Sequence, residues 1–65
     1  MTDSERENWL CSLQETATRV ARQTSRETVY NVLSRYGAAS IEELNPGDYS
    51  YVFGDLYALE ADSRD

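Results

Sequence analysis

Arg35-Tyr36-Gly37-Ala38-Ala39-Ser40-Ile41-Glu42-Glu43-Leu44-Asn45-Pro46 contains one helix stop, two helix starts and the only proline of the 65-residue chain. Gly37 stands where a helix ending at Tyr36 needs a left-handed residue, a geometry that a residue without Cβ adopts freely. Ser40-Ile-Glu-Glu43 has the spacing of a capping box opening a single turn. Asn45-Pro46 reads as an N-cap followed by proline at the first helical position. The stretch is a tight connector between helices and carries no chemistry of its own.

Before the connector the chain reads as a helical hairpin. Ser4-Glu-Arg-Glu7 fits a capping box, so helix 1 is placed at 4–23. Leu10, Leu13, Ala17 and Val20 repeat at heptad spacing, with Trp9 and Ala21 widening the stripe. Glu15 and Arg19 fall on the opposite face at the i,i+4 spacing that favours an ion pair. Thr24-Ser-Arg-Glu27 fits a second capping box, which places helix 2 at 25–36 with Val29, Val32, Leu33 and Tyr36 turned inward and Tyr30 on the flank. After the connector, helix 3 runs over 46–61. Its stripe is Tyr49, Val52, Leu56 and Leu59 with Phe53 beside it, and its opposite face gathers Tyr51, Asp55, Ala58 and Asp62 near Gly54.

The expected fold is all-α, a small three-helix bundle with a short extra turn between helices 2 and 3, in one domain over 1–65 with a frayed tail at 62–65. The expected core is Trp9, Leu10, Leu13, Val20, Val29, Val32, Leu33, Leu44, Val52, Phe53, Leu56 and Leu59, with Ile41 plugging one end. A chain this short buries only about 60% of the surface of its unfolded form, so its stability is modest. The two heptad stripes offer more apolar surface than one bundle needs, which points to a homodimer through helix 1 or helix 3.

Composition excludes several function classes. Cys11 is the only cysteine and there is no histidine, so neither a disulfide framework nor a zinc site is available and no cofactor is implied. Cys11 lies about 140° from the centre of the helix 1 stripe, which leaves it exposed and, with no activating cation nearby, ordinary in reactivity. No run reaches the ~20 apolar residues of a membrane span, and the acidic N-terminus is unlike a signal peptide. The expectation is a cytoplasmic protein. Catalysis finds no histidine and no room for a substantial pocket; Glu42 and Glu43, adjacent on one turn, read as a solvated cap rather than a catalytic carboxylate pair.

Twelve acids against six arginines give a net charge of −6, and its distribution is uneven. Residues 1–36 carry Asp3, Glu5, Glu7, Glu15 and Glu27 against Arg6, Arg19, Arg22, Arg26 and Arg35, and are neutral. Residues 37–65 carry Glu42, Glu43, Asp48, Asp55, Glu60, Asp62 and Asp65 against Arg64 alone. An acidic surface repels nucleic acid and membrane phosphate and suits a basic protein partner; simple solubility is the plainer account of the same charge. The partner-binding candidates are Tyr51, Asp55, Tyr57, Ala58 and Asp62, because exposed tyrosine beside carboxylate is a common interface composition. The alternative is a small nucleic-acid-binding protein using Arg19, Arg22 and Arg26, a patch that Glu15 and Glu27 partly neutralise.

The segment Val32-Leu-Ser-Arg-Tyr-Gly-Ala-Ala-Ser-Ile-Glu-Glu-Leu-Asn-Pro-Gly-Asp-Tyr49, followed by Val52-Phe-Gly-Asp-Leu-Tyr-Ala-Leu-Glu-Ala-Asp62, resembles small uncharacterised proteins carried on plasmids, conjugative elements and phages of gut Firmicutes. It also resembles helical tails of phage recombination proteins. The resemblance carries over no functional residue. It implies a mobile-element accessory protein, including an anti-CRISPR-like or other host-defence inhibitor, a group whose members are often small, acidic and non-catalytic.

Overall fold

The computed structural model describes residues 2–62. Three α-helices, α1 (Asp3–Gln23), α2 (Arg26–Ser34) and α3 (Tyr49–Asp62), form a bundle, and two single 3₁₀ turns at Ile41–Glu43 and Pro46–Asp48 link α2 to α3. There is no strand among the described residues. The Arg6 guanidinium meets Tyr49 at the start of both helices, and Arg19 meets Glu60 near their ends, so α1 and α3 run in parallel. Tyr36 meets Asp55 across α2 and α3, and α2 returns antiparallel to both. The molecule is elongated, 37 × 20 × 15 Å, because the 21 residues of α1 span its length while α2 covers only part of it.

The caps of α1 and α2 lie two residues and one residue from their expected positions. Thr2 caps α1: its hydroxyl accepts from the Glu5 N–H and donates to the Glu5 carboxylate, so the capping pair is Thr2 and Glu5 rather than Ser4 and Glu7. Thr24 closes α1 instead of opening α2. Both its N–H and its hydroxyl donate to the Val20 carbonyl at 2.8 Å, and Ser25 takes over as the α2 cap, accepting from the Thr28 N–H.

Regular α2 ends at Ser34, and the last turn continues through Tyr36 into Gly37, which has φ +74°. The Ala38 N–H reaches the Leu33 carbonyl and the Gly37 N–H the Ser34 carbonyl, the paired bonds of a Schellman ending. Ala38 and Leu33, both 5% exposed, provide its apolar contact. At the next turn Ser40 makes no side-chain cap bond; Glu43 instead accepts from the Ala39 N–H at 2.9 Å. Asn45 caps through its carbonyl, which accepts from Asp48, so residues 46–48 are 3₁₀ and the α-helical part of helix 3 begins at Tyr49.

The core consists of Leu13, Ala17, Val20, Val32, Leu33, Ala38, Ile41, Leu44, Tyr49, Val52 and Leu56. Trp9, Leu10, Val29, Phe53 and Leu59, expected inside, pack against it only partly buried. Thr16 is buried too; its hydroxyl donates to the Ser12 carbonyl at 2.9 Å and accepts from Arg19, which satisfies it. The Ser63-Arg64-Asp65 part of the expected frayed tail lies outside the described residues, while Asp62 belongs to α3.

Candidate interaction surface

Helical spacing decides which candidate residues share a face. Tyr51, Asp55, Ala58 and Asp62 fall within about 60° of one another around α3, at intervals of four, three and four residues. Tyr51 is 65% exposed, Ala58 and Asp62 are exposed and Asp55 is half-buried. Tyr57 lies about 120° from Tyr51 and belongs to a different surface. Its ring, 61% exposed, stacks on Phe53 at 6.4 Å, and Phe53 meets Trp9 edge-on at 6.1 Å. The structure therefore brings four of the five candidates together and places the fifth at the end of an aromatic strip on the α1–α3 flank.

Asp55 is already engaged. The Tyr36 hydroxyl donates to its carboxylate at 2.6 Å, and that charge-assisted bond pushes the Tyr36 phenol above its usual pKa, with burial and the negative charge of Asp55 adding to the shift. The Tyr49 hydroxyl accepts from Arg6 Nε at 3.4 Å, which raises the guanidinium pKa further. Asp55, Ala58 and Asp62 also form one wall of a groove of about 310 Å³ between α2 and α3. Thr28, Asn31 and Arg35 form the other wall, and Val32 and Leu59 line it below.

The arginines expected to act as one basic corner border two adjacent depressions that share Gln14 and Thr18. Arg19 and Arg22 border one depression beside Cys11 and Gln14, while Arg26 borders another beside Ala21 and Val29. Arg19 is not paired with Glu15: its Nε lies 3.1 Å from the carboxylate of Glu60 on α3. Glu60 is 5% exposed, and a buried carboxylate attracts a cation more strongly than an exposed one four residues away on the same helix. Glu15 accepts instead from the exposed Cys11 thiol at 3.7 Å.

Three features lie beyond the sequence-based expectations: the burial of Glu60, the Tyr36–Asp55 bond and the groove. The first has a signal. Glu60 follows Tyr49, Phe53 and Leu56 at intervals of eleven, seven and four residues, which puts it on the apolar stripe of α3. The other two depend on the register of α2 against α3, which spacing within one helix does not reveal.

Glu42 and Glu43 serve separate structural ends, Glu42 accepting from Gln14 on α1 at 2.9 Å and Glu43 from the Ala39 N–H. Among the described residues no cluster of three or more acidic or cysteine side chains could hold a metal ion. No helix among them is long and apolar enough to cross a membrane. No family model, curated protein or solved structure matches the chain.

Proposed function

We propose that this chain is a non-catalytic, acidic protein-interaction module that engages a basic protein surface through the outward face of α3. The carrying observation is that α3 contains no lysine or arginine and presents Asp55 and Asp62 beside the exposed Tyr51, continuing a seven-residue aspartate spacing that begins at Asp48. Such a face attracts a basic protein over long range, while the tyrosine ring gives it a rigid apolar contact on arrival. The resemblance of 32–62 to mobile-element proteins extends the reading to an accessory factor that modulates a host protein, presenting acidic charge in place of nucleic acid. The commitment of Arg19 to Glu60 favours this over the nucleic-acid reading, since it leaves Arg22 and Arg26 as a smaller patch.

The test is affinity capture from host lysate with and without nuclease, followed by association kinetics on the captured protein. Asp62→Arg is preferred to a change at Asp55, whose bond to Tyr36 belongs to the fold. Asp62→Arg should slow association about 10-fold in low salt and flatten its salt dependence, while Arg22→Glu changes little. Recovery of nucleic acid alone, with a labelled oligonucleotide binding in low salt and Arg22→Glu abolishing it, would replace the reading with nucleic-acid binding through Arg19, Arg22 and Arg26.

A further inference from the structure

The groove between α2 and α3 is unevenly charged along its length. Because the helices are antiparallel, Arg35 and Asp55 stand together at one end, Val32, Asn31, Ala58 and Leu59 occupy the middle, and Thr28 faces Asp62 at the other end. At the first end Asp55 already accepts from the Tyr36 hydroxyl, and Arg35 brings a positive charge to the lining. At the second end Asp62 takes part in no ion pair among the described residues, and Thr28 opposite is neutral. The helix adds to the imbalance: Asp62 lies in the last turn of α3, where the carbonyl ends already carry partial negative charge and no basic residue is present.

We infer that this groove receives a single arginine side chain projecting from a helix of the protein partner, with its guanidinium between Asp62 and Thr28 and its stem along Leu59, Val32 and Ala58. The inference rests on the acidic-face reading above and gives that face a specific guest. Charge complementarity selects a cation at the Asp62 end, and like-charge repulsion from Arg35 keeps it from the other. Arginine suits the lining better than lysine because its weakly hydrated, planar head donates to a carboxylate and a hydroxyl at once while its methylenes lie on apolar side chains. Exposed Ala58 leaves the α3 rim low enough for a partner helix to cross it.

The experiment titrates two blocked alanine-based helical peptides, one with a single central arginine and one with glutamine there, into isotope-labelled protein while amide shifts are followed by NMR. The arginine peptide should produce saturable shifts at Thr28, Asn31, Ala58, Leu59 and Asp62 that the glutamine peptide does not, and Asp62→Asn should weaken binding about fivefold. Shifts at Tyr51, Asp55 and Asp62 without any at Thr28, Asn31 and Leu59 would overturn the groove and leave the acidic face standing. The groove is likewise overturned, and the acidic face kept, if an arginine-rich peptide binds in low salt but the single-arginine peptide does not. Binding of the single-arginine peptide only to the Arg64→Gln variant would make the chain's own arginine the occupant and overturn the inference. If neither peptide class binds in low salt, both the groove and the acidic-face reading fall.

Discussion

Tyr36 shows how one side chain couples the connector to the candidate surface. Its hydroxyl donates to Asp55, and the bond holds the phenolic proton above the usual tyrosine range of about 10. A raised folded-state pKa gives stability that is complete below the unfolded value and disappears as pH rises through the folded one. The wild-type chain should therefore be more stable than Tyr36→Phe at neutral pH, and the gap should close as pH climbs above about 10. Urea midpoints measured for both proteins across that range check this; a gap that stays constant into strong alkali would show that the bond contributes nothing. The heptad pattern turns Tyr36 inward but does not identify its partner, because helical angle alone assigns Asp55 to the outward face. Glu60 illustrates the same limit from the other side. Its position on the apolar stripe is readable, yet acidic character argues for solvent, and the approach of Arg19 from α1 helps to offset the cost of its burial.

Among the helices, α3 carries both the densest core stripe and the candidate surface, and Gly54 sits on its exposed side. A methyl group at Gly54 would meet nothing within 4 Å, and its φ is not positive, so no contact within the bundle repays its flexibility. Gly54→Ala should stabilise the fold by ~1 kcal/mol, read as a shift in the urea midpoint. Gly37→Ala should do the opposite by a similar amount despite equally open space, because Gly37 occupies the left-handed region at the Schellman ending. If Gly54→Ala destabilises instead, the helix at that point is not the regular one described. The contrast separates local from non-local information. The number and order of the helices, the role of Gly37 and most core positions follow from period and caps, which are local properties of the chain. Cap residues slip by one or two positions because this sequence offers threonine, serine and glutamate in overlapping capping frames, and the choice between frames depends on which hydroxyl is free to bond. Thr24 is committed to the Val20 carbonyl, which no spacing rule announces.

For the whole molecule, charge and apolar surface oppose each other in deciding whether it associates with itself. The two heptad stripes that suggest a homodimer both face one core: Leu13, Ala17 and Val20 from α1 and Tyr49, Val52 and Leu56 from α3 are buried in the single chain. Apolar surface that remains for a second copy includes the aromatic strip of Trp9, Phe53 and Tyr57, half-buried at Trp9 and Phe53. A net charge of −6 opposes the contact at neutral pH, and salt screens that repulsion. The expected behaviour in sedimentation is a monomer at neutral pH and low salt, with dimer appearing as salt rises or as pH falls toward the isoelectric point near 4.4. Tyr57→Glu should remove that dimer by adding charge to the strip, while Tyr51→Glu, on the other face of α3, should not. A dimer already complete at neutral pH in low salt, and indifferent to Tyr57→Glu, would place the self-interface elsewhere and mean that apolar contact outweighs the charge.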